Sequence, residues 1–152
     1  MHIVLVEPEI PGNTGNISRT CAITGTELHL VKPLGFSVDD KHLKRAGLDY
    51  WHDLGIHYHE NFQEILAQYK NHRFFYATTK AAKTYTSVKY GENDFLVFGK
   101  ETTGLPEWLL LANKDTCIRI PMKTNVRSLN LSNSVAVILF EALRQQEFPG
   151  LT

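Results

Sequence analysis

The chain has 152 residues, 43% of them hydrophobic, enough to bury one sizeable core, and is read as one domain over residues 1–152. Sixteen basic and sixteen acidic side chains cancel, which speaks against nucleic-acid binding by overall charge and leaves it to local patches. Cys21 and Cys117 lie in predicted secondary structure and are read as reduced, buried small hydrophobes. The longest apolar run, Val135 to Phe140, is far too short to span a bilayer. A soluble, cytoplasmic protein is expected.

His2 to Val6 reads as a short apolar strand. Pro8, Pro11 and Gly12 form a turn, and Asn13 to Ile23 reads as a helix ending at Gly25. Leu28 to Val31 is a second strand, closed by Pro33 and Gly35. Asp39 and Asp40 can cap a short basic helix through Arg45, ending at Gly47. Asn61 starts a helix through Tyr69, with Phe62, Ile65, Leu66 and Tyr69 on one face. Phe74 to Thr78, Phe95 to Phe98 and Cys117 to Ile120 are further strands, and Pro106 opens a short helix. The last helix runs from about Leu131 to Gln146. Strands alternating with helices predict an α/β fold, a parallel sheet with helices on both faces. In the last helix, Leu131, Val135 to Phe140, Ala142 and Leu143 leave little polar circumference. Such a helix must be buried nearly all round, and a second copy of the chain is expected to cover its outer side.

Common signatures are missing. There is no G-x-G-x-x-G and no G-x-S-x-G, and Gly99-Lys100 lacks the upstream glycine of a phosphate loop because Asp94 stands there. All seven histidines lie in the first half. His52, His57 and His59 have no acidic or cysteine ligand at a recognised spacing and are read as solvated surface side chains, not a metal site.

The most informative stretch runs from Ile118 to Val135. An apolar strand ends at Pro121, and a loop without glycine runs through Ser128, Asn130, Ser132 and Asn133 straight into a helix. Small polar side chains and helix N-terminal amides at a strand's carboxyl end point to a ligand pocket. Asn13-Thr14-Gly15-Asn16-Ile17-Ser18-Arg19 follows the first strand, where α/β ligand sites form; an Asn-capped helix with Arg19 on its surface accounts for it equally well. Phe98-Gly99-Lys100-Glu101-Thr102-Thr103-Gly104-Leu105-Pro106 is a buried strand breaking into a glycine loop, where backbone can approach a ligand closely. Three basic clusters can form a phosphate-binding surface: Lys80, Lys83 and Lys89; Lys41, Lys44 and Arg45; Lys123 and Arg127.

Together, Asn13 to Arg19, Phe98 to Pro106 and Ile120 to Asn133 resemble, in order and spacing, the three motifs of the SPOUT methyltransferases, in particular the small TrmL/YibK-like tRNA 2′-O-methyltransferases. Glu7 to Pro11 and Arg45 to Tyr50 also resemble that subfamily, so the likeness covers nearly the whole chain. The resemblance implies a SPOUT-type α/β knot, with a deep C-terminal trefoil, and an obligate homodimer. It implies an S-adenosylmethionine pocket formed by Ala77, Thr78, Gly99, Ile120, Met122, Ser128 and Leu129. Some relatives carry a bulkier side chain at the position of Ala77, and Lys100 and Thr103 fall at variable places.

The implied reaction is displacement of the sulfonium methyl by a ribose 2′-hydroxyl, with oxygen, carbon and sulfur in line and no metal required. Arg19 and Glu101 are the candidate catalytic residues. A guanidinium stays protonated, so Arg19 is read as holding a phosphate and stabilising charge on the hydroxyl oxygen, with Glu101 orienting Arg19 or the ribose. Asn13, Asn16, Ser132 and Asn133 are expected to hydrogen-bond the nucleotide, and Lys41, Lys44, Arg45, Lys123 and Arg127 to meet tRNA phosphates. The implied target is the wobble nucleotide, a cytidine or modified uridine, notably in leucine tRNAs. Rival readings are a related enzyme acting on another tRNA or rRNA nucleotide, a non-catalytic RNA-binding protein of this fold, and a doubly wound nucleotide-binding protein.

Overall fold

Alternation along each strand divides the hydrophobic residues between two layers. The computed structural model describes residues 1–38, 41, 45 and 54–152. Its strands are β1 (His2–Val6), β2 (Glu27–Val31), β3 (Ile56–His59), β4 (Phe74–Ala77), β5 (Lys83–Thr84), β6 (Phe95–Phe98) and β7 (Cys117–Arg119). Its helices are α1 (Pro11–Thr24), α2 (Phe62–Gln68), α3 (Glu107–Ala112) and α4 (Leu131–Gln145). The seven strands form one sheet in the order β3-β2-β1-β6-β4-β7-β5, and every strand pairing is parallel. Ile3, Leu5, Leu28, Leu30, Leu96 and Phe98 pack with Ile17 and Cys21 of α1 and with Val135, Ile138 and Leu139 of α4. Val4, Val6, Val31, Phe95 and Val97 face the other way, against Phe62 and Ile65 of α2 and Leu109 of α3. Both faces of the sheet are therefore covered by helices, as expected for parallel strands.

Local chemistry sets the helix ends. Pro11 starts α1, and Gly25, at φ 65°, ends it in the left-handed conformation that glycine tolerates without strain. The Asn61 side chain accepts the Glu64 backbone N–H at 3.1 Å and so caps α2. The strands predicted to reach Thr78 and Ile120 end one residue earlier, at Ala77 and Arg119. Cys21 and Cys117 are free and buried, as expected. Among the described residues, no helix is long and apolar enough to cross a membrane.

One expectation needs correction. His57 and His59 are not simply solvated side chains: both lie in β3, whose alternating histidines hide its apolar character. His59 is only 6% exposed, with its Nε2 3.0 Å from His29 Nδ1. Strand pairing to β2 and the cover of α2 enclose it. Within a single chain, α4 is buried on one side, which leaves its outer side for the second copy expected to cover it. Val135, Ile138, Leu139, Ala142 and Leu143 face the core, while Val137 and Phe140 are exposed, because this helix lies in an outer layer. Asp39, Asp40, Lys44, Gly47 and His52 lie outside the described residues; Lys41 and Arg45 are helical and exposed.

Candidate functional site

Parallel strands release their chain at one edge, and ligand crevices form outside those carboxyl ends. Here the segments after β1, β4, β6 and β7 enclose a cavity of about 380 Å³. Ala77 to Lys80 line it after β4, Gly99 to Leu105 after β6, and Ile120 and Met122 after β7. Ser128 to Leu131, with Ser134 and Ile138 of α4, close a further wall; Ile10 and Asn13 come from the start of α1. The expected cofactor residues Ala77, Thr78, Gly99, Ile120, Met122, Ser128 and Leu129 all line this one space.

The loop after β6 folds back on itself. The Gly104 N–H donates to the Lys100 carbonyl at 2.9 Å, and Gly104 has φ 70°. A Cβ on Gly99 would lie 2.1 Å from the Gly104 carbonyl carbon, so only glycine permits this approach.

Glu101 ties this loop to the first one. Its carboxylate accepts the Glu9 N–H at 2.8 Å, the Ile10 N–H at 3.1 Å and the Asn13 amide at 3.1 Å. Ile10 at the N-cap has no capping side chain and the first turn of α1 no acid, so Glu101 supplies both acceptor and negative charge there. In return, Glu9 accepts the Thr102 N–H and hydroxyl, at 3.1 and 2.7 Å. Lys100 pairs with Glu7 at 2.6 Å, and this hydrogen bond and charge hold the Lys100 pKa above its ordinary value.

The third segment joins through Asn130. Its amide donates to Asn13 Oδ1 at 3.0 Å, and its Oδ1 accepts the Ser132 N–H at 2.9 Å and hydroxyl at 2.6 Å. The Asn133 N–H completes the cap of α4 at 3.4 Å. One hydrogen-bonded line thus runs Glu101–Asn13–Asn130–Ser132 and locks three loops from distant parts of the chain. Asn130 stands among the polar side chains that mark this loop, but its bridge to Asn13 is not legible in the sequence; its place before the last helix, where Asn is a strong N-cap, signals the cap alone.

The other candidates lie apart from the cavity. Arg19 and Asn16 are exposed on α1, and neither lines it. Within one chain, Arg19 makes no hydrogen bond or ion pair among the described residues, and the Glu101 carboxylate is engaged by Glu9, Ile10 and Asn13. Asn133 is exposed and Ser132 half-buried at the mouth of α4; Lys123 and Arg127 are exposed in the loop before it.

Residues 1–140 match the model of the SpoU rRNA Methylase family. A tRNA (cytidine(34)-2'-O)-methyltransferase of Methylovorus glucosotrophus (strain SIP3-4) is 53% identical over 149 residues, covering 97% of this chain and 97% of that protein. A solved structure concerned with 2-OH methylation of C/U34 on tRNA matches with a TM-score of 0.90 and 42% identity, over 96% of this chain and 95% of that one. The SpoU methyltransferase AviRb from Streptomyces viridochromogenes, solved with AdoMet, shares the fold at a TM-score of 0.87 and 22% identity, over 97% of this chain and 58% of its own.

Proposed function

The chain belongs to the SpoU methylase family, and from that premise we propose that it methylates the ribose 2′-hydroxyl of the tRNA wobble nucleotide, with S-adenosylmethionine as donor. The observation that carries this is the cavity at the carboxyl ends of β4, β6 and β7, joined by hydrogen bonds to the start of α1. Its size suits a small cofactor. Its lining suits this one: Ile120, Met122 and Leu129 are apolar, Thr78 and Ser128 carry hydroxyls, and the Gly99 loop offers backbone groups. When bound, the cofactor supplies an electrophilic methyl on a sulfonium centre.

The residues around it have three tasks. The Glu101–Asn13–Asn130 line holds the loops rigid, so that the ribose oxygen is presented in line. Arg19, permanently cationic, holds a neighbouring phosphate and stabilises negative charge on the 2′-oxygen. Asn16, Ser132 and Asn133 hydrogen-bond the nucleotide, while Lys41, Lys44, Arg45, Lys123 and Arg127 engage phosphates. Wobble nucleotides sit in an open loop, reachable without melting a duplex. The target nucleotide is a wobble cytidine or modified uridine, notably that of leucine tRNAs.

Because Arg19 stands outside its own cavity, we assign it to the cavity of a second copy. Ile23, Val137 and Phe140 leave apolar side chains exposed on α1 and α4, which pack side by side. A homodimer that buries them brings Arg19 to the other active site. The same reading makes residues 1–152 one cytoplasmic domain, with its C-terminal part threaded as a trefoil knot.

Calorimetric titration with S-adenosylmethionine tests the cavity assignment. Saturable binding by the native chain, lost in Leu129→Glu, is expected. Equal affinity in both proteins contradicts it.

A further inference from the structure

A second constellation occupies the other edge of the sheet. His2 opens β1 and Glu27 opens β2, and the parallel register sets them side by side. The same register pairs His29 of β2 with His57 of β3. His2 Nδ1 lies 3.1 Å from His29 Nε2 and 3.8 Å from Glu27 Oε2. One ligand atom from each of His2, Glu27 and His29 falls within 4.8 Å of the other two. We propose that His2 Nδ1, Glu27 Oε2 and His29 Nε2 bind a divalent transition-metal ion, zinc by donor type, as a clip between β1 and β2.

Several features distinguish this from a chance grouping. Imidazole with carboxylate is a zinc donor set, and a tetrahedral ion keeps its ligand atoms roughly 3.4 Å apart. Two of the three separations, 3.1 and 3.8 Å, bracket that spacing, and the third lies within 4.8 Å. Each ligand is also oriented by another group, as ligands in metal sites are. His29 Nδ1 is 3.0 Å from His59 Nε2, and Glu27 Oε2 is 2.8 Å from His57 Nε2. The His2 ring stacks on Phe95 at 4.1 Å between centroids.

Glu27 and His57 are half-exposed, which opens a path for an ion from solvent. Without an ion, the rings satisfy one another in a chain from His2 through His29 to His59. Ion entry displaces the hydrogen shared by His2 Nδ1 and His29 Nε2 to solvent and forms two coordinate bonds; the ring that gave it up takes a proton from solvent on its other nitrogen, so that both rings stay neutral and His29 Nδ1–H donates to His59 Nε2. The site lies at the opposite end of β1 from the cavity, so its role is stability, not methyl transfer.

The test uses the full chain without a purification tag, stripped with chelator and titrated with zinc chloride by calorimetry. Cobalt(II) serves as an absorbing substitute. One ion per chain, a raised melting temperature and visible cobalt bands are expected. Glu27→Gln, a substitution on an exposed side chain, weakens zinc by at least about tenfold and removes the cobalt bands while S-adenosylmethionine binding is kept. An unchanged melting temperature with excess zinc, or zinc binding undiminished in Glu27→Gln, overturns the proposal. Retained cofactor binding in that variant shows that it folds.

Discussion

The two edges of the sheet use polar residues in opposite ways. At the amino ends of β1, β2 and β3, strand register places His2 beside Glu27 and His29 beside His57, and these groups bond to one another. At the carboxyl ends, the polar groups belong to loops far apart in sequence, as where Glu101 holds Glu9 and Asn13. Side chains there spend their bonds fixing backbone, and a cavity is left between the loops. Register therefore makes a compact polar edge whose side chains meet directly, whereas loop-to-loop bonding makes a rigid edge with a cavity wide enough for a cofactor.

Substitutions at the two edges separate these roles. The largest effect is expected at Arg19. Arg19→Ala lowers methyl transfer by about 100-fold or more, the scale of losing one stabiliser of developing charge, with cofactor affinity nearly unchanged by calorimetry. Mixing Arg19→Ala with Leu129→Glu restores transfer if Arg19 serves the second copy's cavity; a mixture as inactive as its parts places Arg19 and cavity in one chain. Next comes salt. With about five phosphate contacts, a fourfold rise in salt weakens tRNA binding on the order of 100-fold, and a filter-binding series reads the slope.

Gly99→Ala forces a Cβ into the Gly104 backbone. A stability loss of about 3 kcal/mol in denaturant melts, with cofactor binding lost, is the expected result. Glu101→Gln keeps the shape but removes the charge that three donors share, and costs roughly 1–3 kcal/mol with a smaller drop in transfer. At the other edge, Glu27→Gln leaves the rate of methyl transfer unchanged to within about twofold, since it touches none of the loops around the cavity. A large rate loss there joins the two edges and breaks the comparison.

Much of this was legible in the chain. Gly25 ends α1, Asn61 caps α2, and the apolar runs of β1, β2 and β6 mark the buried strands, whereas α1 starts at Pro11, read as part of a turn, and has no Asn cap. The residues named for the cofactor from the family resemblance line one cavity. What escaped depends on through-space pairing. The histidines of β3 read as polar because nothing local shows that β2 and α2 enclose them. The hold of Glu101 on the backbone amides of residues 9 and 10 is likewise absent from the sequence, because only the fold creates that proximity. The exposed cations at Lys123, Arg127, Lys41 and Arg45 are legible as local clusters and not in the balanced composition, because net charge averages over the surface that RNA meets.

The most direct test is transfer of a labelled methyl group from S-adenosylmethionine to undermodified tRNA, with the labelled nucleotide then mapped. The account predicts a 2′-O-methyl at the wobble position, absent with Arg19→Ala and with Leu129→Glu. Label at another nucleotide, or tRNA that binds without being labelled, contradicts it.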